Sequence, residues 1–239
     1  MIGNYLITGA TSGLGEYVAR FLADRGDNVI LLGRNKEKLE ELSHELGERA
    51  KSFVVDLEVP EQIGKVFENI SVKMDGLIHC AGLNEGFLIK TSEPEMARRV
   101  MNVNSFSFLE LGKHFCKKKY SQDGASIVVI SSMASKSHPA GMSLYSASKA
   151  ALNSFVKTMA KENVKRRLRV NAVLPGYLEK TMKDEVIPWQ VSDTEGELLK
   201  DIQPLGRIPY EQVCMLVDFL LSERSQYVTG SLIEVSGGQ

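Results

Sequence analysis

The chain has 239 residues, 43% hydrophobic and 25% charged, with a formal net charge of −1. That composition suits a globular protein and excludes a disordered one. The near-zero charge leaves no global field to recruit nucleic acid or an anionic membrane.

No uninterrupted apolar run approaches the roughly 20 residues of a membrane span. The amino terminus, MIGNYLITGA, runs directly into a strand and lacks a basic, apolar, cleavable pattern, so a cytoplasmic location is expected. Cys80, Cys116 and Cys214 lie far apart without CxxC spacing and read as free thiols. His44, His79, His114 and His138 do not cluster with them, and no metal site is expected.

In chain order, Tyr5 to Thr8 reads as a first strand, followed by the glycine turn TGATSGLG. A helix follows with Val18, Ala19, Phe21, Leu22 and Ala23 on its apolar face. Strand, glycine turn and helix make a phosphate-binding start, because glycines let the backbone approach a pyrophosphate at a helix amino terminus. The spacing is GxxxGxG, not the general GxGxxG.

Asn28 to Leu32 is the second strand. An acid near its end would bind the ribose hydroxyls of NAD, but Gly33 and Arg34 stand there instead. An arginine can pair with a 2′-phosphate through two donors, so NADP(H) is favoured over NAD(H). A solvated Arg34 is the alternative. Ser12 can add a hydroxyl contact.

Lys36 to Leu46 is an amphipathic helix, Ser52 to Val55 the third strand, and Ile63, Val66, Phe67 and Ile70 mark the next helix. Gly76 to His79 is the fourth strand. Residues 93–116 read as one long helix with Met96, Val100, Val103, Phe106 and Leu111 among its apolar positions. Ser126 to Ser132 is a buried parallel strand, 136–141 a loop with Pro139 and Gly141, and a helix spans about 143–165. Arg169 to Val173, Tyr210 to Ser222 and Leu232 to Val235 supply a strand, a helix and a last strand. Strands and helices alternate throughout, which predicts an α/β, single-domain, doubly wound seven-stranded parallel sheet with helices on both faces.

Residues 177–203 differ. They hold the one tryptophan, Trp189, and seven acids against three lysines, and read as a lid above the crevice. Lys117-Lys118-Lys119 and Lys165-Arg166-Arg167 sit at helix ends, where cations suit the dipole.

The chemistry concentrates in residues 126–151. Ser132 falls at the carboxyl end of a strand, where open α/β sheets bind ligands. Tyr145 and Lys149 are four apart and share a helix face. A free phenol titrates near ~10. A neighbouring ammonium and the helix dipole both favour the phenolate, which makes Tyr145 a general acid or base. Ser132 can hold a substrate carbonyl while Tyr145 gives the proton.

Taken together, these motifs resemble the short-chain dehydrogenase/reductase family over nearly the whole chain. The matching pieces are the TGATSGLG turn, Asp56, Ala81-Gly82, Asn104, Ser132, YSASK at Tyr145–Lys149, NAVLPG, PLGR and the carboxyl-terminal TGSLIEVSGG. The serine precedes the tyrosine by thirteen residues, as is usual in this family.

The resemblance implies a Rossmann fold and a catalytic set of Asn104, Ser132, Tyr145 and Lys149, with Asn104 holding a water in a proton relay. It implies cofactor contacts from Gly9, Thr11, Ser12, Gly13, Leu14 and Gly15 of the turn. Arg34, the adenine-binding pair Asp56 and Leu57, and Ala81 and Gly82 would follow. Tyr145, Lys149, Pro175, Gly176 and Leu178 would complete the cofactor site.

Three departures stand out. His79-Cys80 replaces the usual Asn-Asn before Ala-Gly, and His79 reads as a core histidine. Lys180 stands where the family often has threonine, with Thr181 one place later. Asn102 competes with Asn104, and the VNSFSF context favours Asn104.

The expected function is NADP(H)-dependent hydride transfer between nicotinamide and a ketone or secondary alcohol, resembling the 3-oxoacyl carrier-protein reductase branch. The substrate would be a small molecule or a carrier-bound thioester. A carrier would want basic residues such as Arg98-Arg99 or Arg166-Arg167. The competing reading is an inactive cofactor-binding regulator. Helices around 93–116 and 143–165 are expected to form a homodimer or homotetramer interface.

Overall fold

The computed structural model describes residues 2–179, 199 and 201–239. Seven parallel strands form one sheet: β1 (Asn4–Thr8), β2 (Asn28–Gly33), β3 (Ala50–Val54), β4 (Met74–His79), β5 (Ser121–Ile130), β6 (Arg169–Pro175) and β7 (Leu232–Val235). Their spatial order is β3-β2-β1-β4-β5-β6-β7. The direction of winding reverses between β1 and β4, whose register pairs Thr8 with His79. The chain departs to opposite sides there, which opens a crevice at the carboxyl ends of the strands.

The inner strands read as largely apolar runs because both faces of the sheet are covered there, whereas the edge strands β3 and β7 are only partly buried. Successive side chains point to opposite faces. Ile127 and Val129 of β5 join one core with Leu6 and Leu77, whereas Val128 and Ile130 join the other with Ile7 and Ile78. On the second face lie α1 (Gly13–Asp24), α2 (Lys36–Leu46) and, late in the chain, α8 (Tyr210–Leu221), through Val18, Leu39 and Val213. On the first lie α3 (Ile63–Glu68), α5 (Ser107–Phe115) and α7 (Ser143–Glu162), through Phe67, Phe108 and Leu152.

The doubly wound sheet expected from the sequence is present, with local corrections. The helix expected over 93–116 is three pieces: α4 (Pro94–Met101), a π-helical turn over Asn102–Phe106, and α5. The extra residue of a π turn shifts the apolar register. Phe106, expected in the core, is therefore 43% exposed, while Val103 and Phe108 are buried. The loop expected at 136–141 begins with a short helix, α6 (Ala134–Ser137). Helix α7 stops at Glu162, short of 165. Strand β5 starts at Ser121 and ends at Ile130, so Ser132 lies two residues beyond it.

The arginines also differ from expectation. Arg166 is not a solvated helix-end cation. It reaches Asp123 Oδ1 at 2.7 Å and the carbonyls of Cys116 and Ser121 at 2.8 Å each. Most of the segment expected to form a lid, with Lys180, Thr181 and Trp189, lies outside the described residues. Cys80, Cys116 and Cys214 are free thiols. No described helix is long and apolar enough to cross a membrane.

Candidate active site

The crevice begins at the glycine turn between β1 and α1. Gly9 takes a φ of +67° and Gly13 +55°, a region that side chains other than glycine rarely adopt. A Cβ on Gly15 would lie 2.3 Å from the Gly9 carbonyl oxygen, and one on Gly9 would lie 2.9 Å from the Ala81 nitrogen. The turn is thus packed directly onto the end of β4, with no room for a side chain at Gly9 or Gly15. Ser12 stands in extended backbone just ahead of α1, and its side chain makes no capping bond to the helix. Bare backbone at a helix amino terminus fits a dinucleotide's pyrophosphate.

On the flank, Arg34 follows β2, and Asp56, Leu57 and Glu58 follow β3. Asp56 Oδ1 accepts the Glu58 N–H at 2.9 Å. Leu57 is buried, and the Arg34 side chain is 63% exposed. Arg34 Nη1 lies 3.6 Å from Glu58 Oε1.

Behind the crevice floor, His79 is completely buried. Its Nδ1 meets Thr8 Oγ1 at 2.9 Å, and the same hydroxyl accepts the Ala81 N–H at 3.2 Å. Burial, aided by the Lys149 charge, pushes the imidazole down to about 3. A neutral, hydrogen-bonded core histidine is what the sequence suggested. It fastens the end of β4 to β1, where the family usually carries asparagine.

The residues singled out for chemistry meet at the centre. Ser132 Oγ accepts the Ala134 N–H at 3.1 Å, and its hydroxyl faces the Tyr145 phenol closely enough to favour the phenolate. Lys149 is 3% exposed, with Nζ 5.8 Å from the centre of the Tyr145 ring and donating to the Ile130 carbonyl at 2.8 Å. Asn104 is fully buried in the π turn. Its Oδ1 accepts the Leu83 N–H at 2.6 Å, and its Nδ2 donates to the Leu83 carbonyl at 3.0 Å and to Ser148 Oγ at 2.9 Å. Ser148 Oγ in turn donates to the Tyr145 carbonyl at 2.7 Å. Asn102 points elsewhere, to the Glu58 carbonyl at 2.8 Å.

The electrostatics depart from the sequence argument in one respect. The Tyr145 phenol was expected to be lowered by Lys149. Burial instead raises it, and only the nearby Ser132 hydroxyl opposes that rise. Burial also pushes the Lys149 ammonium down to about 8. The protein alone therefore holds two proton-exchanging groups shifted toward their uncharged forms.

At the far wall β6 ends in Pro175. Gly176 N donates to the Val235 carbonyl at 2.9 Å. Tyr177 is clamped by Gln203, whose Oε1 accepts its N–H at 2.8 Å and whose Nε2 donates to its carbonyl at 3.0 Å. Leu178 forms a bridge with Ile208.

All of the expected site residues but one line a single crevice of about 770 Å³, from Gly9 through Arg34 and Asp56 to Tyr145 and Leu178. Asn104 stands one layer behind, 3.5 Å from where a Cβ on Gly82 would lie. Sequence reasoning missed Thr8, Ser148, Gln203 and Glu58. Ser148 lies inside the quoted YSASK motif, and its place between Tyr145 and Lys149 was the one available signal. Arg99, expected as a free cation for an acidic carrier, is committed to Glu58 at 2.7 Å and Glu85 at 3.1 Å.

A doubly wound sheet with a glycine-turn crevice and a Ser–Tyr–Lys cluster defines a nucleotide-dependent oxidoreductase of short-chain type. The short chain dehydrogenase family model matches residues 4–191, and the chain belongs to the short-chain dehydrogenase/reductase family. Among curated relatives, it is 34% identical to the 3-oxoacyl-[acyl-carrier-protein] reductase FabG of Aquifex aeolicus, over 98% of this chain and 95% of that protein. It is also 34% identical to carbonyl reductase family member 4 of Danio rerio, over 98% and 96%. Its branch is FabG-like. Among solved structures, a blue fluorescent protein from a metagenomic library, in complex with NADPH, superposes with a TM-score of 0.89 at 26% identity, covering 99% of this chain and 97% of that one. A short-chain dehydrogenase/reductase from Mycobacterium ulcerans gives 0.88 at 28%, covering 99% and 89%.

Proposed function

We propose that the protein is an NADP(H)-dependent reductase interconverting a ketone and a secondary alcohol, with 3-oxoacyl thioesters as the first substrate class to try. The observation that carries this is the convergence of Ser132, Tyr145 and Lys149 on one crevice with the glycine turn. Bound nicotinamide supplies or accepts the hydride. Ser132 orients the substrate oxygen, and Tyr145 gives or takes its proton. Lys149, its Nζ 5.8 Å from the centre of the phenol ring, meets the cofactor beside Tyr145. Asn104, through Ser148, holds the α7 backbone at Tyr145. Gly9 to Gly15 receive the pyrophosphate, Asp56 and Leu57 the adenine, and Pro175, Gly176 and Leu178 the carboxamide side. Arg34 receives the 2′-phosphate.

The substrate half of the crevice is lined by Leu83, Met133, Pro139 and Met142, an apolar wall suited to a ketone with a hydrocarbon arm. The curated relatives named as 3-oxoacyl carrier-protein reductases favour the thioester. The active unit is a homodimer or homotetramer covering the α4–α5 face, where Phe106 is 43% and Leu109 45% exposed.

The test is loss of NADPH absorbance across a panel of ketones and 3-oxoacyl thioesters, with Tyr145→Phe alongside. General acid–base catalysis contributes about 10²–10⁴-fold, so Tyr145→Phe is expected to lose turnover on that scale while still binding NADPH. Tight NADPH binding with no turnover on any substrate would overturn the enzyme reading in favour of a cofactor-binding regulator.

A further inference from the structure

The parallel pairing of β2 with β3 places Gly33 beside Val54, and the Val55 N–H continues the ladder to the Gly33 carbonyl at 2.9 Å. The two chains therefore leave the sheet side by side, Arg34 from one and Glu58 from the other. Glu58 is held from three sides. Asp56 Oδ1 accepts its N–H at 2.9 Å, Asn102 Nδ2 donates to its carbonyl at 2.8 Å, and Arg99 Nε donates to its Oε1 at 2.7 Å. Arg99 is occupied further by Glu85 Oε1 at 3.1 Å. The same Glu58 oxygen lies 3.6 Å from Arg34 Nη1. Glu58 is 31% exposed against 63% for Arg34, so the carboxylate is the fixed member and the guanidinium the loose one. Both line the crevice.

We propose that Glu58 is a specificity-determining residue: a clamped carboxylate that competes with the cofactor's 2′-phosphate for Arg34 and so narrows the preference for the phosphorylated dinucleotide. Glu58 matters in this way only if Arg34 meets a 2′-phosphate, as proposed above. A dianionic phosphate at Arg34 must share the guanidinium with Glu58 or repel it, and like charges at that range cost affinity. An unphosphorylated ribose presents hydroxyls, which meet no such repulsion. A free carboxylate would swing into solvent, but Arg99 holds this one while Asp56 and Asn102 fix the backbone that carries it. Discrimination set by a repulsive element as well as an attractive one is ordinary in specificity.

The experiment titrates NADPH and NADH, without substrate, into the full-length protein, followed by cofactor fluorescence or calorimetry at two salt concentrations. The variants are Glu58→Gln, Glu58→Ala, Arg34→Ala and the Arg34→Ala/Glu58→Gln pair. Glu58→Gln keeps an acceptor for Arg99 and removes only the charge. It is expected to tighten NADPH by about 3–10-fold and to change NADH by less than about twofold. The gain should shrink at high salt and vanish in the Arg34→Ala background. Glu58→Ala should move NADPH in the same direction.

Equal changes for the two cofactors, no change for either, or a gain that persists without Arg34 would each overturn the proposal. Arg34→Ala separates the two readings. If it weakens NADPH selectively while Glu58→Gln does nothing selective, the competition falls and the 2′-phosphate contact stands. If it weakens both cofactors equally, the 2′-phosphate contact falls and the competition with it.

Discussion

Lys149 shows what a single buried residue costs and does. Its ammonium is held near 8 by burial, against an ordinary value of 10.5. Below about pH 8 both folded and unfolded chains carry the proton, and the folded state bears the whole cost of the buried charge. Between about 8 and 10.5 the unfolded chain holds a proton that the folded chain lacks. Stability contributed by this group therefore rises with pH across that window, by about 3 kcal/mol in total. Other groups titrate in the same range, so the clean measurement is the difference between wild type and Lys149→Met.

Urea unfolding from pH 7 to 10 should show Lys149→Met equal to wild type or up to about 3 kcal/mol more stable at pH 7, its advantage fading as pH rises. The hydrogen bond to the Ile130 carbonyl, about 1.5–3 kcal/mol for a charged donor, offsets part of the gain. Turnover should be lost. A variant less stable at neutral pH, with an unchanged pH profile, would contradict the cost assigned to the buried ammonium. The positions of Tyr145 and Lys149 were legible from their spacing. The balance between burial and charge was not, because local sequence does not say how dry the helix face becomes. His79 was legible as a core residue, but its partner Thr8 lies 71 residues away and shows only in the sheet register.

Among the elements, the π turn at Asn102–Phe106 was invisible to pattern reading. Its residues have no propensity that separates them from an ordinary helix, and what selects the wider turn is tertiary. Ser107 N–H bonds back five residues to Asn102, and Asn104 turns inward to satisfy Leu83 and Ser148. All seven strands, by contrast, were legible in kind and order, because buried sheet faces favour apolar runs, although the bounds of β5 shifted by five residues at its start and two at its end. Ser148 joins the two elements. Ser148→Ala would leave an Asn104 amide hydrogen and the Tyr145 carbonyl without that partner in a dry interior, at a cost of about 1–3 kcal/mol. Asn104→Ala should cost a similar amount, and the double variant should cost less than the sum, since both remove one bond. Denaturant unfolding of the four proteins measures this, and strictly additive losses would show that the π turn and α7 are not coupled through the serine.

For the whole molecule, a surface feature bears on assembly. Phe106 and Leu109 are each more than 40% exposed, on the α5 side of the π turn. Neighbouring Pro60, Glu61, Asn102, Glu110 and Lys113 complete a shallow groove there. The register shift that brings Asn104 inward is the same one that turns Phe106 outward, so a surface apolar pair accompanies the buried amide. Glu110 on this face is already paired with Lys113 at 2.8 Å and His114 at 3.0 Å, which removes its charge as an obstacle to self-association. If this face joins subunits, Leu109→Glu places an unpaired charge in the contact and should shift the protein to a smaller species in light scattering at micromolar concentration. The folded monomer should survive, because Leu109 contributes little to its own core. A wild-type protein that is monomeric under the same conditions, or a Leu109→Glu protein with unchanged mass, would remove this face from the assembly.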